Sequence, residues 1–123
     1  MQVSRIRALR GPNLWSHHTA IQAVVTCTNE ECSINTLAGF ETRVRARFPE
    51  IASFQPIGHD DTIPLVRVLE LAALGLQAQA GCPVTFSCSV ATVEANVYQM
   101  VVEYSEEAVG RLALELAETL CQS

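Results

Sequence analysis

Residues 3–10 alternate in character, with Ile6 and Ala8 on one side and Arg5 and Arg7 on the other, until Gly11-Pro12-Asn13 ends the run. This predicts a strand and a turn. Ile21 to Cys27 alternates again, setting Ile21, Ala23, Val25 and Cys27 against Gln22, Val24 and Thr26, which predicts a second strand. From about Thr36 the period changes to that of a helix, with Leu37, Phe40, Val44 and Phe48 on one face and Pro49 as its stop. Glu41 precedes Arg45 by four residues on the other face.

Residues 63 to 81, IPLVRVLELAALGLQAQAG, predict a central helix that is apolar almost all round. Such a helix belongs inside a domain. Asp60, Asp61 and Thr62 stand where any of them can cap it, and Pro64 is tolerated in its first turn. Val84, Phe86, Cys88 and Val90 alternate with Thr85, Ser87 and Ser89, and Tyr98, Met100, Val102 and Tyr104 with Gln99, Val101 and Glu103. These predict two more strands, joined as a hairpin across residues 91 to 96. A last amphipathic helix begins near Ser105, Glu106 and Glu107 and carries Val109, Leu112, Ala113, Leu116 and Leu120 at helical spacing.

The predicted order is ββααββα, an α+β two-layer sandwich of one four-stranded, largely antiparallel sheet with three helices stacked on one face. The other face would then collect Arg5, Arg7, Gln22, Thr26, Thr85, Ser87, Ser89, Gln99 and Glu103, open to solvent or a partner.

A length of 123 residues fits a single domain, residues 1–123, that buries roughly two-thirds of its unfolded surface. The net charge is −5 and all eight basic residues are arginine, which argues against a nucleic-acid module and against any phosphate loop requiring lysine. Cys27, Cys32, Cys82, Cys88 and Cys121 are odd in number and form no CxxC pair, and no cleavable leader precedes the first strand. A reduced, cytoplasmic protein is expected. No run reaches the roughly 18 residues of a membrane span without a charge, since Arg67 and Glu70 interrupt the longest.

Chemistry-bearing motifs are sparse. There is no GxSxG, Walker-type or GxGxxG pattern. Cys27 and Cys32 with His17 and His18 lack the tight ligand pairs of a zinc site. Cysteines such as Cys82 are more often small buried apolar residues than nucleophiles, and His59 with Asp60 and Asp61 reads more simply as helix capping than as a site. Trp15 reads as a plug at the sheet edge. Arg67 and Glu70, three apart, share one helical face. They mark either a place where the buried helix reaches the domain edge or the remnant of a site.

The opening SRIRALRGPNLWS, the central LELAALGLQAQAGCPVTFS and the closing VYQMVVEYSEEAVGRLALELA resemble the N-terminal domain of bacterial cyanophycin synthetase, with RALRGPN the most specific segment. The resemblance implies a first domain of a longer ligase, followed by ATP-grasp and Mur-ligase-like domains, that builds a polymer with an aspartate backbone and arginine on each side-chain carboxylate. It implies ATP and magnesium for those ligase domains, and no cofactor here. The family's domain is thought to hold the growing polymer, and in some members it cuts polymer into primers at a metal site resembling an HxxEH helix motif.

That motif falls on Arg67-Val68-Leu69-Glu70-Leu71. Only the glutamate remains, and neither a protonated arginine nor Leu71 can ligate zinc. No catalytic or metal residue is therefore expected, and polymer binding remains. A zwitterionic polymer suits a surface of both signs, for which Arg5, Arg7, Gln99 and Glu103 are the candidates. The rival expectations are a metal-dependent peptidase using Glu70 and His59, and a docking or homo-oligomerisation domain with Val24 and Val101 at outward positions.

Overall fold

Four strands pair in the order β1-β2-β4-β3, every neighbour antiparallel. The structure, a computed structural model, describes residues 1–15, 17–27, 42, 46 and 64–121. The strands are β1 (Gln2–Leu9), β2 (Ala20–Thr26), β3 (Ser87–Ala91) and β4 (Val97–Glu103). Helices α1 (Leu65–Gln79) and α2 (Glu107–Cys121) complete the described order ββαββα. The architecture is α+β as expected, with two helices among the described residues rather than three. The helix expected from Thr36 to Phe48 lies outside them except for Thr42 and Ala46, each helical and exposed.

Both helices cover one face of the sheet. Ile21, Ala23 and Val25 of β2 and Met100 and Val102 of β4 form the core with Val68, Leu69 and Leu74 of α1 and Leu114 and Leu120 of α2. Every residue from Val68 to Gln77 is buried, as an all-round apolar helix requires. Burial of this set is the main stabilising term, about 1.5–3 kcal/mol for each large aliphatic side chain.

The end of α1 follows from Gly81. Its φ of +85° suits glycine, and the Gly81 N–H bonds the Ala78 carbonyl at 3.0 Å while the Cys82 N–H bonds that of Gln77 at 2.9 Å. This two-bond pattern closes a helix through a left-handed residue. At the other end Pro64 is itself the cap, without a side-chain bond, and its carbonyl accepts from the N–H groups of Arg67 and Val68. Asp60, Asp61 and Thr62, the expected caps, lie outside the described residues.

Two strands depart from the expected alternation. In β1 the register shifts between Ser4 and Arg7, with Arg5 at φ +52°. This bulge separates Arg5 from the regular pleat, so Arg5 and Arg7 are not successive members of one face. In β3 the pairing of Ser87 with Val102 and of Ser89 with Met100 turns both serines toward the helices, and Cys88 and Val90 away. The expectation was the reverse. Thr85 precedes the strand and is exposed, whereas Val84 is buried.

Candidate functional site

Glu70 is the centre of the turned-in serines. Its side chain is 1% exposed, yet it accepts three hydrogen bonds: Ser87 Oγ to Oε1 at 2.7 Å, Ser89 Oγ to Oε2 at 2.5 Å and Arg67 Nη1 to Oε1 at 2.8 Å. A buried carboxylate survives when its lone pairs are satisfied, and here two hydroxyls from β3 and one guanidinium do so. The Arg67 side chain is 46% exposed, so the pair spans the boundary between core and solvent. Both expectations for Arg67 and Glu70 are thereby refined: the arginine does reach the edge, and the glutamate is a buried tie between α1 and β3. Leu71 beside them is buried and offers no donor atom.

Behind Ser87 and Ser89, Cys88 lies half-buried on the opposite sheet face. Burial, and then the Glu70 charge, push its thiol above the ordinary cysteine range. That environment is the opposite of the one that activates a nucleophile. Cys27 is buried and Cys82 half-buried, and neither is in a disulfide. His17 and His18 are exposed, and Cys32, His59, Asp60 and Asp61 lie outside the described residues. Among the described residues no cluster of three or more His, Cys, Asp or Glu can hold a metal ion.

The sheet face away from the helices carries Arg7, Gln22, Val24, Gln99, Val101, Glu103, Cys88 and Val90 by register. Its centre is closed, because Val101 has no exposed surface and Gln22, Val24 and Cys88 are half-buried. The expectation of a wholly open face is corrected accordingly, and Val101 is no exposed apolar contact. Arg5, Arg7 and Gln99 are exposed and Glu103 is half-buried. Arg7 and Gln99 sit on strands separated by β2, one pleat apart along the chain direction, roughly 12 Å from each other by ordinary sheet spacings. Trp15 is half-buried in the turn, its backbone N–H donating to Asn13 Oδ1 at 2.9 Å.

Two features were not anticipated. Glu107 at the start of α2 takes Arg10 Nε at 2.7 Å and Arg10 Nη2 at 3.2 Å, and also Arg111 Nε at 3.1 Å. The Arg10 bonds, followed by that of Arg111, hold its carboxyl down at about 2. Only the Glu107–Arg111 half is readable from a spacing of four; the Arg10 half joins residues 97 apart. The second feature is Glu118, whose Oε2 accepts the Val3 N–H at 2.6 Å and ties the edge strand to α2. No helix among the described residues is long and apolar enough to cross a membrane.

Comparison with known proteins points to one family. Residues 21–123 match the family described as cyanophycin synthase-like N-terminal domain. The chain is 33% identical, over 135 aligned positions, to a cyanophycin synthetase of Trichormus variabilis and equally to one of a Nostoc species. It is 30% identical to one of a Synechocystis species. Each alignment takes in 100% of this chain but only 15–16% of the relative, so the chain spans about one-seventh of their length.

Proposed function

The chain belongs to the family of cyanophycin synthase-like N-terminal domains, and from that premise we propose that it is a non-catalytic domain that holds an aspartate–arginine polymer near ligase sites. The ligase sites, with their ATP and magnesium, lie on this reading in ATP-grasp and Mur-ligase-like domains of a longer cytoplasmic protein. The observation that carries the proposal is the state of Glu70. At the position where a hydrolytic relative would keep a metal-site glutamate, this carboxylate is buried and bonded to Ser87, Ser89 and Arg67. It is engaged in holding the fold together, and its neighbours Arg67 and Leu71 cannot ligate a metal.

Exposed Arg5, Arg7 and Gln99, with Glu103 at the margin, supply the mixed polarity that a zwitterionic polymer requires. Each exposed ion pair contributes about 0.2–1 kcal/mol, so affinity comes from many repeats engaged at once. The test is an NMR titration of the labelled chain with short and long polymer at two salt concentrations. Shifts that grow with polymer length and fade with salt are expected, and Arg5→Ala with Arg7→Ala should weaken them. Absence of any shift with either polymer would remove the proposal.

A second reading, docking against other domains or a sister subunit, rests on Val90 and Val93 near the β3–β4 hairpin, which are 50% and 106% exposed. Light scattering on the isolated chain distinguishes its self-association form, since a clean monomer excludes it.

A further inference from the structure

Between the edge strand β1 and helix α2 runs a groove of about 250 Å³, lined by Val3, Ile6, Arg111, Leu114, Glu115 and Glu118. Its floor is apolar and its charges are ordered. Arg111, Glu115 and Glu118 follow one another at spacings of four and three, so they form one stripe along α2, about 10 Å from first to last. The stripe is cationic at its start and anionic at its end.

The groove's polar atoms are only partly engaged. Arg111 donates Nε to Glu107. Glu118 uses Oε2 on the Val3 N–H, which leaves Oε1. Glu115 is exposed, and among the described residues nothing donates to its carboxylate.

An edge strand ordinarily invites another strand, but this one is guarded. The bulge at Arg5 interrupts its register and Glu118 occupies the Val3 N–H. Main-chain addition is thus disfavoured, and a side chain is the better occupant. A volume of about 250 Å³ lies below the range for drug-sized ligands and suits one long side chain. An arginine stem can lie on Val3, Ile6 and Leu114 while its planar head reaches the two carboxylates. A lysine head, a compact and strongly hydrated point charge, lacks the planar fork that matches two carboxylates at once.

We propose that this groove is a subsite for an arginine residue whose own α-carboxylate is free, with the guanidinium at Glu115 and Glu118 and the carboxylate at Arg111. The inference deepens the polymer-holding reading and rests on it for the ligand. Arginine joined through its amine to a side-chain carboxylate retains both groups.

The test uses methyl-labelled 123-residue chain titrated with Nα-acetyl-L-arginine, Nα-acetyl-L-argininamide and Nα-acetyl-L-lysine. Saturable shifts of the Val3, Ile6 and Leu114 methyls are expected with the first, and clearly weaker binding with the other two. Glu115→Gln with Glu118→Gln should weaken acetyl-arginine binding about fivefold, the scale of two exposed charge pairs. The amide oxygen introduced at position 118 can still accept the Val3 N–H, unchanged Ile21 and Val25 methyls check the fold, and Glu115→Gln alone serves as a milder variant. Absence of saturable shifts, equal binding of argininamide, or unchanged affinity in both variants would overturn the subsite.

Titrating polymer into the same proteins separates the two readings. Polymer bound alike by the wild type and the double variant sinks the subsite and leaves the polymer-holding reading intact. Acetyl-arginine bound in the groove with no polymer bound does the reverse.

Discussion

Ser89 of β3 donates its hydroxyl to Glu70 of α1 at 2.5 Å, across the interface between sheet and helix and 19 residues apart in sequence. Together with Ser87 it makes the buried carboxylate a polar tie between the two elements. A one-residue slip of β3 would present Cys88 and Val90 to Glu70 and strip the carboxylate of two donors. The tie therefore specifies register as well as contributing stability.

Removing one side of this tie should cost much more than removing all of it. Glu70→Ala is expected to destabilise the chain by about 2–5 kcal/mol, because the Ser87 and Ser89 hydroxyls lose their acceptor and a cavity is left in the core. Ser89→Ala should cost roughly 1–3 kcal/mol. The triple change Glu70→Met, Ser87→Ala, Ser89→Ala should recover most of the loss, because no orphaned polar group remains and Arg67 can turn to water. Urea denaturation of the four proteins checks the order, and a triple variant weaker than Glu70→Ala would contradict it.

Gly110 sets the approach of α2 to the sheet. A Cβ there would stand 2.7 Å from the Tyr104 Cβ and 3.1 Å from Ile21 Cδ1. Alanine would raise helix propensity by about 1 kcal/mol, but the Tyr104 Cβ is anchored to the backbone and cannot retreat without moving β4's end. Gly110→Ala is expected to lower stability by a net of roughly 1–3 kcal/mol, read as a fall in the thermal midpoint. A rise would mean that α2 shifts freely.

Glu107 predicts an acid-dependent contribution. Its folded carboxyl is held near 2, by Arg10 first and Arg111 second, against an ordinary value of 4.5. Between these values the unfolded chain binds the proton and the folded chain does not, so stability rises with pH through this window. Its stabilisation is complete above about pH 4.5 and lost as pH falls toward 2. Thermal midpoints of the wild type and Glu107→Gln should converge over that interval. They should also lie closer together at high salt, because the pair with Arg10 is exposed.

Zinc or manganese should leave the chain inert toward polymer. Arg67 carries no available lone pair, Leu71 none at all, and Glu70 is already bonded three times. Incubation with either metal is expected to release no dipeptide units by mass spectrometry. Cleavage abolished by a chelator would reverse this reading of α1.

The sequence by itself determined the identity of the described elements. Period-two alternation gave β2 and β4, helical spacing gave α2, and an apolar run without a polar face marked α1 as central. Gly81 marked its end. That Arg67 and Leu71 offer no atoms to ligate a metal was also legible, because it is a matter of residue type. Tertiary structure decided which way β3 faces. Ser87 and Ser89 alternate with Cys88 and Val90, and apolarity favoured burying the second set. The choice reversed because a carboxylate on α1 supplies acceptors for the two hydroxyls, while the other face also buries Val101 at its centre. Tertiary structure likewise decided the bulge at Arg5 and the pairing of Arg10 with Glu107, and with them the groove beside α2. The hydrogen-bonded partners behind the facing of β3, the Arg10–Glu107 pair and the tie beside the groove lie 17 to 115 residues apart along the chain. Local pattern records the preferences of neighbours within a turn or a pleat, and it carries no information about a donor and acceptor that meet only when the layers close.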